Sequence, residues 1–238
     1  MEIAEIIKNI PKEKIYYQTD LGVLICADSL EILPLIPDGS VDLVLTDPPY
    51  NASNKKIGLN PEHYETINEA WDKGFEPNFL KLINAKQEII FCSHHSLKLY
   101  INRIPQQIIH WINTNPMPSI SCKTYAYCVE YILWYVNKRP YIFNKKENNF
   151  NMIYDTAPKG KDRPEHPTPK PVFLIKELLC VHSNPNDLIL DPFFGSGTTG
   201  VACEKLNRRW IGIEISEKYC EIARKRISQE ANQLKLFK

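Results

Sequence analysis

None of the seven cysteines in this 238-residue sequence stands in a Cys-x-x-Cys pair. Structural zinc wants ligands at such spacing, so no metal site is assigned. Several of these cysteines sit inside apolar runs, which reads as free, buried thiols in a reducing cytoplasm. No apolar run approaches the length of a membrane span, and Met1-Glu2 opens no charged-then-apolar leader. The expectation is a soluble, cytoplasmic protein with no membrane partner. Excess charge is missing too: 29 Lys and Arg face 28 Asp and Glu, for a formal net charge of +1. Any nucleic-acid surface must therefore be local. No internal repeat is visible. What remains is a globular composition, 43% hydrophobic and 24% charged, at a length that suits one domain over residues 1–238 with room for an insertion.

The chain alternates strand-like and helix-like segments. Gly22 to Cys26 is a short apolar strand, and Asp28-Ser29 caps a helix carrying Leu30, Ile32, Leu33 and Leu35. After the turn Pro37-Asp38-Gly39, Val41 to Leu45 reads as a second buried strand, so the unit is βαβ with parallel strands. Asn51 to Phe75 is polar and weakly periodic, which suits a lid carrying Lys55 and Lys56. Helices are expected over Glu76 to Asn84 and Ser96 to Arg103, with strands over Glu88 to Cys92, Ile108 to Ile112 and Tyr127 to Asn137. His94-His95 follow a strand end, where adjacent histidines are usually solvated but a role is conceivable. Further on come a helix from Val172 to His182, a strand Asp187 to Leu190, a helix Thr198 to Leu206, a strand Trp210 to Ile213 and a helix Ser216 to Arg226.

Two constellations stand out. In Asp47-Pro48-Pro49-Tyr50 the prolines stop a buried strand abruptly and fix the direction in which the chain leaves it. That places an acid and an aromatic ring together at a strand's carboxyl end, where open α/β sheets hold ligands. Asp47 and the Pro48 carbonyl can each accept a hydrogen from an amine, and Tyr50 can stack on a planar ring. The same residues also make an ordinary strand-ending turn. The second constellation is Asp191-Pro192-Phe193-Phe194-Gly195-Ser196-Gly197-Thr198-Thr199-Gly200, a glycine-rich turn between a strand and a helix, with Glu214 at the end of the next strand. This is the logic of a nucleoside-binding unit, in which an acid accepts from ribose hydroxyls. A Walker loop is excluded because Thr198, not lysine, follows Gly197. On this turn alone a nicotinamide cofactor stays in play.

Between them, residues 137–170 change character: eight basic residues face four acidic ones. The basic set is Lys138, Arg139, Lys145, Lys146, Lys159, Lys161, Arg163 and Lys170, interleaved with Tyr141, Phe143, Phe150 and Tyr154. Basic side chains and aromatics serve phosphate contact and base readout, although a solvated loop has the same composition.

Taken together, Asp47-Pro48-Pro49-Tyr50 followed downstream by Phe193-Phe194-Gly195-Ser196-Gly197-Thr198 resembles the S-adenosylmethionine-dependent DNA amino-methyltransferases. The order, tetrapeptide before glycine-rich turn, is similar to the circularly permuted β class, and His166-Pro167-Thr168-Pro169-Lys170-Pro171 is a marker of it. The resemblance covers about Gly22 to Tyr219. It implies a doubly wound α/β fold: a mostly parallel, seven-stranded Rossmann-like sheet with one antiparallel strand, circularly permuted. It implies catalysis by Asp47, Pro48, Pro49 and Tyr50, and cofactor contacts from Asp28, Asp47, His166, Thr168, Lys170, Phe193, Phe194, Gly195, Ser196, Gly197, Thr198 and Glu214. Within these, Asp28 would take the cofactor's adenine amine, Glu214 its ribose, Thr168 and Lys170 its carboxylate. DNA contacts are expected from Lys55, Lys56, Lys138, Arg139, Lys145, Lys146, Lys159, Lys161 and Arg163, with residues 137–165 as a short target-recognition insertion. The basic residue that related sequences often carry near Asn113-Thr114 is lacking here.

The implied reaction is methylation of adenine N6 in double-stranded DNA, to which Asp before Pro-Pro-Tyr leans. Cytosine N4 is the nearest rival, followed by a protein amide or RNA substrate. A cofactor-sensing DNA-binding module without turnover, and then a nicotinamide-dependent dehydrogenase, come after. The class also carries the expectation of a homodimer and of a cognate restriction endonuclease.

Overall fold

A computed structural model of the chain describes residues 2–50, 75–100, 102–116, 125–144, 150–156 and 169–236. The lid expected at 51–75, apart from Phe75, lies outside them. So do Lys55, Lys56, Lys145, Lys146, Lys159, Lys161, Arg163, His166 and Thr168.

Nine strands make one sheet among the described residues. In chain order they are β1 (Ile15–Gln18), β2 (Gly22–Cys26), β3 (Leu43–Thr46), β4 (Gln87–Cys92), β5 (Gln107–Asn113), β6 (Val129–Val136), β7 (Met152–Asp155), β8 (Leu188–Asp191) and β9 (Arg209–Glu214). Their order across the sheet is β1-β2-β9-β8-β3-β4-β6-β5-β7. The inner seven, β2 to β5, are parallel except for β6, which runs against both β4 and β5. That is the seven-stranded sheet with one reversed strand. Two edges extend it: β1 folds back antiparallel on β2, and β7 joins β5 in parallel.

The α-helices among the described residues are α1 (Ile3–Ile6), α2 (Ser29–Ile32), α3 (Val172–His182), α4 (Thr198–Leu206) and α5 (Glu217–Leu236). Strand residues alternate between the two faces. Leu24, Leu43, Leu45, Ile189 and Trp210 pack beneath α3, α4 and α5. Val23, Ile25, Val44, Leu190 and Ile211 pack with Ile6, Ile32 and Phe79 on the other face. Both faces are covered, which is why these strands read as continuous apolar runs. No helix among the described residues is long and apolar enough to cross a membrane.

Three segments depart from the expected elements. Residues 76–84 and 96–103 hold only single 3-10 turns, Asn78–Lys81 and Leu97–Tyr100. In each case apolar side chains reach the core from one turn, and Pro77 and Pro105 stand where a longer helix would begin or end. The third, α5, runs ten residues past Arg226, tied back to α4 by the Lys205–Glu230 ion pair.

One close approach fixes how the sheet meets the glycine-rich turn. A Cβ at Gly212 on β9 would come within 2.4 Å of the Phe194 ring, which itself stacks on Trp210 at 5.4 Å between ring centres. Gly212→Ala is expected to lower stability by about 1–3 kcal/mol through overpacking. At roughly 2–4 °C per kcal/mol for a chain of this size, the shift is readable by thermal unfolding. An unchanged midpoint would mean that Phe194 has room to move.

Candidate active site

Parallel strands place their carboxyl ends on one edge, and the two constellations meet there. Strands β3 and β8 are direct neighbours. The chain leaves β8 through α4 on one face, whereas the segment after β3 returns along the other, through Phe79 and Ala85. Their junction is the switch point where open sheets form a crevice.

Asp191, at the end of β8, ties the junction together. Its Oδ1 accepts from Thr46 Oγ1 at 2.8 Å and Phe193 N–H at 3.1 Å, and its Oδ2 from Thr199 Oγ1 at 2.6 Å. Burial raises its pKa to about 7, against the pull of those three donors. The turn that follows reaches α4 through Gly197 at φ +77°, a conformation that costs little only for glycine. A Cβ there would also lie 2.8 Å from Ala223 Cβ of α5. Arg226 of α5 donates from one guanidinium nitrogen to the Ser196 carbonyl and to the hydroxyls of Ser196 and Thr198. Burial lowers its pKa. The Phe194 ring is turned into the core, while Phe193 packs edge-on against Phe79 at 5.0 Å.

Glu214 closes the other side of the turn. Its carboxylate accepts from Gly195 N–H and from Ser216 N–H, both at 2.8 Å. On the adjoining strand, Asp28 accepts from Leu30 N–H at 2.8 Å and caps α2. The last residue pair in the β2–β9 register is Cys26 with Glu214, so both acids stand at neighbouring strand ends.

The tetrapeptide leaves β3 with its carboxylate already held. Asp47 Oδ1 accepts from Tyr50 OH at 2.6 Å, and Oδ2 pairs with Lys170 Nζ at 2.6 Å. Lys170, just ahead of α3, is buried, with its ammonium 5.3 Å from the Tyr50 ring centre and 5.2 Å from that of Phe91. Burial works to neutralise the ammonium, but Asp47 and Glu130 more than offset it, and its pKa ends above the ordinary lysine value. Burial, then Asp47 and Glu130, keep Tyr50 a phenol.

Glu130 is the member of this cluster that the sequence reading passed over. Because β6 runs backwards, its first residues reach the carboxyl edge. Glu130 Oε2 lies 3.1 Å from Tyr50 OH and 3.2 Å from Lys170 Nζ. One signal existed: it is the lone acid in a strand otherwise made of aliphatic and aromatic residues. The same reversal carries the other end of β6 away. Lys138 and Arg139 follow Val136, which pairs with the first residue of β4, so they stand at the opposite edge from Asp47. There Lys138 bonds Asn84, and Arg139 lies over the Tyr141 ring. His94, beyond the end of β4, stacks on Tyr127 at 4.5 Å.

The chain is similar to known proteins along most of its length. A family described as DNA methylase matches residues 41–225. The type II methyltransferase M2.LlaDCHI of Lactococcus lactis subsp. cremoris is 30% identical, over 92% of this chain and 93% of its own. M2.DpnII of Streptococcus pneumoniae is 31% identical, over 91% and 93%. Among solved structures, the M1.HpyAVI–SAM complex aligns with a TM-score of 0.65 and 30% identity, covering 87% of this chain and 99% of that one. The cytosine-N4-specific PvuII DNA methyltransferase has a TM-score of 0.71 at 21% identity, over 93% and 95%, a likeness of fold. With the tetrapeptide and the glycine-rich turn meeting at one strand edge, the chain belongs to the DNA methylase family of S-adenosylmethionine-dependent amino-methyltransferases.

Proposed function

We propose that this enzyme methylates the N6 amino group of adenine within a defined sequence of double-stranded DNA. What supports the reading is that Asp47-Pro48-Pro49-Tyr50 and the glycine-rich turn leave the carboxyl ends of two adjacent strands, joined there by the Thr46–Asp191 hydrogen bond. The residues present fit the cofactor: a tight turn that Gly197 lets pack closely on α5, flanked by carboxylates at two adjoining strand ends. Glu214 suits ribose hydroxyls and Asp28 an amine. Phe193, Gly195, Ser196, Gly197 and Thr198 form the wall, Phe194 contributing through its backbone. Lys170, proposed from the resemblance to hold the cofactor's carboxylate together with Thr168, stands beside Asp47 and can serve both; His166 remains a proposed cofactor contact. When bound, S-adenosylmethionine supplies an electrophilic methyl group on a sulfonium.

The chain's own residues prepare the acceptor. An aromatic amine is a poor nucleophile because its lone pair is delocalised into the ring. Asp47 and the Pro48 carbonyl, each taking one amine hydrogen, favour a pyramidal nitrogen whose lone pair is available. Positive charge would grow on that nitrogen as it takes up the methyl group that the cofactor would supply, and the fixed carboxylate of Asp47 stabilises that charge. The proton then leaves toward Asp47 or water. Pro49 keeps the turn stiff, and Tyr50 offers a ring to a base taken out of its stack.

For DNA, residues 137–165 are proposed as the recognition insertion. Its strand β7 is anchored on β5, and Met152 and Tyr154 on the strand, with Phe150 just ahead of it, are exposed. Of the basic residues assigned to DNA, Lys55, Lys56, Lys145, Lys146, Lys159, Lys161 and Arg163 remain candidates, whereas Lys138 and Arg139 would meet DNA only at the edge opposite Asp47. The relatives' designation as type II methyltransferases supports a cognate restriction endonuclease as partner, in the cytoplasm. A homodimer belongs to the same proposal.

Incubation with plasmid DNA and labelled S-adenosylmethionine, followed by nucleoside analysis, tests the reading. N6-methyladenine is expected; N4-methylcytosine would overturn the choice of base, and no transfer would overturn the activity. Glu214→Ala is expected to weaken cofactor binding about 10- to 100-fold, the weight of one or two hydrogen bonds to a charged group. Calorimetric titration measures it, and an unchanged dissociation constant counts against the ribose assignment.

A further inference from the structure

Asp47 is asked to accept a hydrogen from the target amine, yet both its oxygens are already engaged. Tyr50 OH and Lys170 Nζ each stand 2.6 Å away. A carboxylate has room for further donors, but an ammonium this close neutralises its field. With Lys170 alone the pair would be closed and neutral, and a growing positive charge on the amine would feel little. Glu130 changes that balance. Its Oε2 lies 3.1 Å from the same phenol and 3.2 Å from the same ammonium. Each donor is thus shared between two carboxylates, with Asp47 the nearer.

Resting on the reading of Asp47 as the amine acceptor, we propose that Glu130 is a positioning residue that takes over Tyr50 and Lys170 when the amine reaches Asp47. Two consequences follow from the geometry. The phenol has one hydrogen, so turning it to Glu130 frees Asp47 Oδ1. The ammonium, drawn toward Glu130, leaves a cluster of two carboxylates and one cation that keeps a net negative charge facing the amine. Glu130 need not touch the substrate for either effect. Its place on the reversed strand fixes it: it pairs in register with Trp111 of β5, one residue before Tyr131 meets Cys92 of β4.

The test compares wild type with Glu130→Gln, Glu130→Ala and Glu130→Asp, following single-turnover methylation of DNA and, separately, affinity for S-adenosylmethionine. Glutamine keeps the shape and an acceptor oxygen but loses the charge. It is expected to lower the methylation rate constant at least tenfold, with cofactor affinity changed less than threefold. Alanine should be as slow or slower, and aspartate should recover part of the rate, because it restores the charge at a longer reach. Cofactor affinity also reports that each variant is folded. A Glu130→Gln rate within twofold of wild type overturns the proposal, as does a fall in rate matched by an equal fall in cofactor affinity. A wild-type protein that binds S-adenosylmethionine but transfers no methyl group to DNA overturns the functional reading itself, and this inference with it.

Discussion

Asp47→Ala is expected to reduce methyl transfer by about a thousandfold, the upper range for removing one fixed electrostatic group that stabilises charge growing in a transition state. Cofactor affinity should stay within a few-fold. The hydrogen-bond and ion-pair partners recorded for Asp47 are Tyr50 and Lys170, and Lys170, the one of them also proposed to meet the cofactor, stays held by Glu130. Alanine also leaves Lys170 paired with Glu130 alone, so the ammonium keeps a counter-charge and the fold survives. Asp47→Asn separates the two duties of the side chain. It retains an acceptor oxygen for the amine and loses the charge, so a residual rate above that of alanine measures what acceptance alone is worth. Single-turnover assays on DNA, with cofactor titrations alongside, read both. A turnover within tenfold of wild type for Asp47→Ala removes the residue from the chemistry.

Local signals carried the inner sheet. Gly22 to Cys26, Val172 to His182 and Thr198 to Leu206 have the bounds expected of them, because each has its own apolar pattern and its own punctuation: a cap, prolines or glycines. The edge strands were not legible. Ile15–Gln18 and Met152–Asp155 are four residues each, without apolar–polar alternation in the sequence, and exist because a neighbour offers a free edge. The two short 3-10 segments fail in the opposite sense, since their apolar residues mimic a helix, yet a single turn is enough to bring those side chains to the core. At the site, motif order singled out Asp47, Gly195 and Glu214, and the fold sets them at or just after the carboxyl ends of three adjoining strands. No local pattern could report that Lys170 meets Asp47 across 123 positions, or that reversal of β6 delivers Glu130 and withdraws Lys138 and Arg139. Asp191 and Arg226 were hidden for the same reason. Their partners, Thr46 and Ser196, are set by register between strands and by the packing of α5 on the turn.

Lys170→Met removes the one ammonium that stands between two carboxylates. The side chain it replaces is buried, 7% exposed, whereas Asp47 and Glu130 are 25% and 34% exposed. Breaking a buried pair from one side costs about 3–5 kcal/mol. Solvent at the two carboxylates brings the expectation to the low end of that range, about 3 kcal/mol, or roughly 6–12 °C in the unfolding midpoint. The pH dependence has a definite sign. Lys170 has its pKa raised in the folded protein, so its stabilisation is fully present below the ordinary lysine range and is lost only as pH rises through the raised value. Between pH 5 and 8 the wild type therefore loses nothing from this group. The gap between wild type and Lys170→Met should accordingly hold steady from pH 5 to 8 and close only as pH rises through the raised lysine value, measured by denaturant unfolding across that range. An unchanged unfolding midpoint in the variant at neutral pH would mean that the ammonium contributes nothing, and that the cluster holds its place by packing alone.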